Sequence, residues 1–257
     1  LIGNHEAMNV YGDLRYVSPG EYEAFKDGRS REVRDAFFEQ HVEEMKKKTP
    51  PQPVDRAAWE KENPLGFFEH RMAFGPKGNY GRWIRRHNAV VRINDAIFLH
   101  GGVGPKYASL TGNAINTQIR AELEDFTRLQ GGAAMDPEGP LWYRGLAEGA
   151  EGELAAHLDA VLKSHGAARV VIGHTPTDGA VLPRFNGRVV MIDVGLSAHY
   201  GSRTACLVIE KDQWFALHRG KKLPLPGAGV VEYLKQAAAL DPPPSPLAPL
   251  IKKLEGN

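Results

Sequence analysis

Three short motifs, each with a histidine beside a glycine at the end of an apolar run, constrain this sequence most. They read Gly-Asn-His-Glu at 3–6, His-Gly-Gly at 100–102 and Gly-His-Thr at 173–175. The runs before them, Leu-Ile, Ile-Phe-Leu and Val-Val-Ile, are typical of buried strands, and glycine lets the backbone turn sharply after each. Open α/β sheets gather ligands at the carboxyl ends of their strands, so three loops far apart in sequence can converge.

The side chains in these motifs are those of a metal site. Imidazole binds zinc, iron and related metals, and the carbonyl oxygen of Asn4 adds a hard ligand. A single histidine after a strand is more often a hydrogen-bonded turn residue than a ligand. Three such histidines in matching contexts favour a metal site, but spacing alone leaves both interpretations open.

The apolar pattern of the chain predicts an α/β protein with some antiparallel pairing. Residues 3–6 are predicted to be a loop after a strand that ends at Leu1-Ile2. One helix is expected from Ser30 to the prolines at 50–53, and residues 54–80 are expected to be partly helical. Two short strands are expected around an Asn94-Asp95 turn. One helix is expected to carry Ile115, Ile119, Leu123, Phe126 and Leu129, and the next to carry Leu154, Leu158, Val161 and Leu162. Further strands are expected at 169–172, 189–194, 204–210 and 214–219.

The charge balance and composition limit the partners and the kinds of metal site that this chain can have. Lysine and arginine total 32 against 31 aspartate and glutamate, a formal net charge of +1, which gives no reason to expect nucleic acid or an anionic membrane as partner. No apolar run approaches the roughly 20 residues that span a bilayer. The only cysteine, Cys206, excludes an internal disulfide and a cysteine-rich metal site.

The first residues of the sequence leave the cellular compartment of the protein open. The chain opens without methionine on the end of an apolar run, which reads as a start inside a strand. A signal peptide would lie upstream of such a start, so the compartment, cytoplasmic or periplasmic for a soluble protein, stays open.

In their order, the three motifs resemble the last three signatures of calcineurin-like metallophosphoesterases of the phosphoprotein-phosphatase type. The flanking sequence resembles the bacterial and plant Shewanella-like phosphatase branch. This similarity covers roughly residues 1–210, and its segments are Asn-His-Glu-Ala-Met-Asn at 4–9, Gly-Asp-Leu-Arg-Tyr-Val at 12–17, Gly-Arg-Trp-Ile-Arg at 81–85, the run at 98–105 and Ile-Asp-Val-Gly-Leu-Ser at 192–197.

The resemblance implies a fold and a domain plan. The fold is the metallophosphoesterase αββα sandwich, here without its first strands and helices, with a helical cap insertion at about 18–80. Residues 1–236 would form the catalytic domain and 237–257 a Pro/Ala-rich tail, and the composition of 237–250 predicts an irregular surface segment. The insertion either covers the metal cleft and selects substrates or packs away from it.

The resemblance also implies the chemistry, the metal-dependent hydrolysis of phosphate monoesters, with phosphoprotein, including phosphotyrosine, as substrate. Asn4, His100 and His174 match the ligands of the second of two divalent ions (manganese, iron or zinc). We expect them to converge within about 5 Å of one point. His5 matches the histidine that protonates the leaving oxygen.

Arginines are expected to grip the phosphate. Arg144 matches a phosphate-binding position of the family, and the alternative is a solvated surface arginine. Arg15 and Arg85 are weaker candidates.

The sequence departs from the family in one respect. The Asp-x-His and Gly-Asp-x-x-Asp-Arg motifs that supply the first metal's ligands are not in these 257 residues. We therefore expect this chain alone to hold second-site ligands only, to bind metal weakly and to have negligible activity. The alternatives are a catalytically inactive fragment or binding remnant, and a small-molecule phosphohydrolase or phosphodiesterase.

Overall fold

The structure, a computed structural model, describes residues 1–256 and divides them into two compact units. The helical unit comprises His5–Arg86, and the sheet unit joins Leu1–Asn4 to the chain from His87 onward. The assignment of 1–236 as the catalytic domain and of 18–80 as its cap stays a prediction.

Six helices lie along the first 86 residues. Aromatic side chains fill the space between them: Phe37 stacks on Phe68 at 4.0 Å, and Phe38 packs edge-on against Trp59 at 5.1 Å. The helices are α1 (Asn4–Tyr11), α2 (Pro19–Phe25), α3 (Ser30–Lys46), α4 (Arg56–Glu62), α5 (Phe67–Phe74) and α6 (Asn79–Arg86).

The beginning of the chain differs from its prediction. Residues 3–6 are not a loop, because helix α1 begins at Asn4. Glycine and asparagine usually indicate a turn, but Glu6 in the first helical turn suits the positive end of the helix dipole. Leu1 and Ile2 are not in a strand, although the Ile2 N–H donates to the Asn88 carbonyl at 3.1 Å.

The sheet unit contains a five-stranded sheet in the order β1-β2-β3-β5-β4 and a three-stranded antiparallel sheet β6-β7-β8. In the larger sheet β2, β3 and β5 are parallel, while β1 and β4 are antiparallel edges. The strands are β1 (Val90–Ile93), β2 (Ala96–Leu99), β3 (Arg169–Ile172), β4 (Leu182–Arg184), β5 (Val189–Met191), β6 (Ala205–Glu210), β7 (Gln213–His218) and β8 (Lys221–Pro224).

Five helices complete this unit, and one side-chain amide ties the first of them to the sheet. Asn116 accepts from the N–H groups of Ala89 and Val90 and donates to the Val90 carbonyl, all within 2.9 Å. The helices are α7 (Gly112–Glu124), α8 (Gly145–Glu148), α9 (Glu151–His165), α10 (Val230–Ala238) and α11 (Ala248–Glu255).

The core of the sheet unit lies between the two sheets. One residue from each of three strands of the larger sheet lies in the same buried cluster as Trp214 and Ala216 of β7. These residues are Ala96 of β2, Val171 of β3 and Val190 of β5. This two-sheet, mixed α/β arrangement confirms the predicted fold class. No helix within residues 1–256 has the length and apolar character needed to cross a bilayer.

The prediction of an irregular surface tail is wrong for its last part. Ala248–Glu255 is helix α11, and Leu247 just before it is fully buried in the core cluster. The prolines at 242–244 and 246 concealed this helix, because proline stops a helix but also starts one at its first turn.

Leu247→Ala should therefore lower the free energy of unfolding by about 2 to 5 kcal/mol, because the substitution leaves a cavity in a packed core. Leu196→Ala is the control, since Leu196 is 67% exposed. Urea denaturation of both variants measures the effect. Equal, small losses would show that the segment does not pack as described.

Candidate metal centre

Strand register places two of the three motifs side by side. Strands β2 and β3 are parallel neighbours in which Leu99 pairs with Ile172. His100 and Gly173 are therefore the first residues beyond the sheet on adjacent strands, and the Gly173 N–H donates to the His100 carbonyl at 2.9 Å. The shared carboxyl edge, predicted from the sequence, is the physical reason that His100 and His174 meet.

The structure brings the three predicted ligands together. His100 Nε2 lies 2.8 Å from Asn4 Oδ1 and 3.0 Å from His174 Nδ1, and Asn4 is only 2% exposed. Two ligands at right angles around one ion, each about 2.1 Å from it, are roughly 3 Å apart. The donor set and its spacing fit a divalent transition metal.

Hydrogen bonding explains this cluster less well. One imidazole nitrogen carries either a proton or a lone pair, so His100 Nε2 cannot make two linear bonds to acceptors on different sides. A cation facing all three atoms accounts for both contacts together. Among residues 1–256, no group of three or more histidine, cysteine, aspartate or glutamate side chains is placed to hold a metal, so this Asn-His-His set is the candidate.

His174 has an unusual backbone that the surrounding loops support. Its φ is +61°, in the left-handed region that non-glycine residues rarely occupy. Arg144 Nη1 donates to the His174 carbonyl and to Thr175 Oγ1, both at 2.9 Å. Such strain persists only where neighbouring contacts fix it, and it clusters at functional sites.

The glycines after His100 allow another segment, the Trp142 loop (residues 138–145), to approach closely. The Gly101 N–H donates to the Pro140 carbonyl at 2.8 Å, and a Cβ at Gly101 would lie 2.9 Å from the backbone nitrogen of Trp142. Trp142 then meets the His174 ring edge-on, with centroids 5.9 Å apart. Burial raises the pKa of Tyr143, which therefore stays protonated at neutral pH.

His5, the predicted proton donor, follows Asn4 directly on α1 and is exposed. Its ring stacks on Tyr16, with centroids 4.9 Å apart. Within the helical unit, His5 lines a cavity of about 200 Å³ together with Asp13. Hydrogen bonds from Arg15 hold the pKa of Asp13 below its usual range, so Asp13 is ionised at neutral pH and paired with Arg15.

The weaker arginine candidates have structural partners. Arg15 Nε contacts both carboxylate oxygens of Asp13, at 2.9 and 3.0 Å. Arg85 is buried, and its Nη1 lies 3.4 Å from the carbonyls of Phe74 and Gly75. Asp193 accepts from the Gly195 N–H at 3.2 Å.

Thr175 and Glu122 were not among the residues predicted from the sequence. Thr175 was visible inside the Gly-His-Thr motif, but its bond to Arg144 joins residues 31 positions apart. Glu122 lay unnoticed on the polar side of a predicted helix, although the structure buries it.

The chain resembles several known proteins. The chain is 29% identical to an uncharacterized protein of Schizosaccharomyces pombe over 86% of its own length. It is 26% identical to Shewanella-like protein phosphatase 2 of Arabidopsis thaliana over 76%, and 25% identical to Shewanella-like protein phosphatase 1 of Plasmodium berghei over 78%. It covers 59%, 52% and 48% of these relatives, so it spans about half their length. No protein-family model matches the chain.

The fold has a solved counterpart. The crystal structure of the cold-active protein-tyrosine phosphatase of a psychrophilic Shewanella species superposes with a TM-score of 0.60 at 24% identity, covering 88% of this chain and 57% of that one. An I115M mutant of a cold-active protein tyrosine phosphatase gives 0.62. The chain thus resembles proteins named Shewanella-like phosphatases, in agreement with the resemblance of its motifs.

Proposed function

We propose that this protein is a metal-dependent phosphatase that hydrolyses phosphate monoesters. The observation that carries the proposal is the convergence of Asn4, His100 and His174 within 3.0 Å contacts at the carboxyl edge of the sheet. The names of the relatives in Arabidopsis and Plasmodium support the same activity.

Asn4, His100 and His174 would hold a divalent ion, of which manganese, iron and zinc suit nitrogen and amide-oxygen donors. When bound, the ion supplies a Lewis acid that polarises a phosphoryl oxygen. Because all three side chains are uncharged, they would not offset the positive charge of a bound ion. That charge would then be available to a phosphate dianion. Arg144 donates to the His174 carbonyl, and the Gly101 N–H donates to the Pro140 carbonyl. These two hydrogen bonds keep the metal-binding side chains in place before substrate arrives.

His5 and Arg144 would act on the substrate itself. As the phosphorus–oxygen bond to the leaving group breaks, protonated His5 gives its proton to that oxygen, which departs as an alcohol. Arg144 Nη1 donates to the His174 carbonyl and to Thr175 Oγ1. Among residues 1–256, Nε and Nη2 of Arg144 make no hydrogen bond. These two nitrogens form the edge of a guanidinium that grips two phosphate oxygens.

The proposed substrate is a phosphorylated protein, with phosphotyrosine included because the solved counterpart is described as a tyrosine phosphatase. The second candidate is a small phosphoester. A panel of one phosphotyrosine peptide, one phosphoserine peptide and several sugar phosphates separates the two by kcat/KM. Turnover of the sugar phosphates alone would reject the protein substrate.

Phosphatase activity should require metal and His174. In the complete product of the gene, assayed with p-nitrophenyl phosphate and manganese, His174→Ala should lower kcat/KM by roughly 100-fold or more, because a lost ligand releases or displaces the ion. His199→Ala is the matched control, since His199 is exposed and follows a different strand. Full activity in chelator, or equal activity of the two variants, would contradict the metal assignment.

His5→Ala should separate substrates by leaving group. We expect a loss of roughly 100- to 10,000-fold on alkyl phosphates, the usual range for a general acid. The loss on p-nitrophenyl phosphate should be much smaller, because its leaving oxygen needs little protonation. Steady-state rates on both esters measure the difference. Equal losses would place His5 in metal binding or folding instead.

A further inference from the structure

A buried carboxylate lies behind the candidate metal centre. Glu122, on α7, is 3% exposed. Its Oε1 accepts from the Ala133 N–H and from Gln118 Nε2, both at 2.9 Å, and its Oε2 accepts from the Ala134 N–H at 2.7 Å. Within residues 1–256 no cation forms an ion pair with it. Burying a charge in this way is costly, so three hydrogen-bond donors are needed to hold it there.

The segment that binds this carboxylate is shaped for the purpose. Gly131 has φ +75°, a backbone conformation that favours glycine. A Cβ at Gly132 would lie only 2.5 Å from Cδ of Glu122, so no larger residue fits. The Gly-Gly-Ala-Ala sequence at 131–134 therefore wraps the carboxylate, and Glu122 fixes the position of Ala134.

Ala134 in turn orients Trp142. Trp142 Nε1 donates to the Ala134 carbonyl at 2.9 Å, which fixes the plane of the indole. That ring meets the His174 imidazole at 5.9 Å and 86°. Two residues further on, Arg144 holds the His174 carbonyl. One segment thus contacts both the ring and the backbone of a candidate ligand.

We propose that Glu122 is a positioning residue for the metal centre, acting through Ala134 and Trp142 to set the orientation of the His174 ring. The proposal rests on the proposed function in taking His174 as a ligand. A purely structural Glu122 would stabilise the fold and leave the His174 ring where it is.

Glu122→Gln keeps the shape of the side chain but replaces one acceptor oxygen with an amide that cannot accept from both alanines. We expect manganese affinity, measured by calorimetry on the folded protein, to fall by about 10- to 100-fold, the usual effect of groups that orient metal ligands. Glu124→Gln is the control, since Glu124 is exposed on the same helix. The His174 ring-proton chemical shifts in the metal-free protein should also move, because they report the Trp142 ring current.

The outcomes are distinguishable. A Glu122→Gln protein with a lower melting temperature but wild-type affinity and wild-type His174 shifts overturns the proposal. If His174→Ala leaves manganese binding unchanged, the metal assignment fails, and the metal-free shifts still decide whether Glu122 orients the ring. Should Glu122→Gln not fold, Trp142→Phe removes the indole N–H that binds Ala134 and replaces the indole with a smaller ring, and it should weaken manganese binding to a similar degree. Unchanged binding in that variant overturns the proposal as well.

Discussion

The parallel pairing of β2 with β3 is the constraint on which the rest of the candidate site depends. Because Leu99 lies opposite Ile172, the chain leaves the sheet at the same level on both strands, and His100 and His174 emerge side by side. A slip of one residue in this register would turn one strand's side chains to the opposite face. Burial along nearly the whole of β2 and β3, with Ala96 and Val171 in the core cluster shared with the second sheet, opposes such a slip.

Around this pairing, the loops hold geometry that an isolated peptide would not adopt. The left-handed backbone at His174 and the close approach at Gly101 both cost conformational freedom. Hydrogen bonds from Arg144 to the His174 carbonyl and from the Gly101 N–H to the Pro140 carbonyl offset this cost. The site is thus built before any ligand arrives, which is the arrangement that electrostatic catalysis of phosphoryl transfer requires.

Much of this arrangement was readable from the sequence, for identifiable reasons. Strand β3 matches its predicted bounds at 169–172, because three consecutive β-branched apolar residues (170–172) between a helix end and a glycine leave little choice. Helices α3 and α9 were likewise found from apolar spacing. The meeting of His100 and His174 was also predictable, because both follow the ends of neighbouring parallel strands. Asn4 was matched through its motif, although it begins a helix and does not follow a strand.

What escaped prediction depended on contacts between distant residues. Strands β4 and β8 are short and contain Pro183 and the lysines at 221 and 222, so their local signal is weak. The helical turn at Asn4 and the buried position of Leu247 are likewise set by tertiary contacts that override local propensity. Glu122 belongs to the same class, since only the fold brings residues 133 and 134 to its carboxylate.

Crystals soaked in manganese, measured at the manganese absorption edge, test the central claim most directly. The account predicts an anomalous difference peak about 2.1 Å from Asn4 Oδ1, from His100 Nε2 and from a ring nitrogen of His174. A peak elsewhere, or no peak with the three side chains hydrogen-bonded to one another, would contradict it.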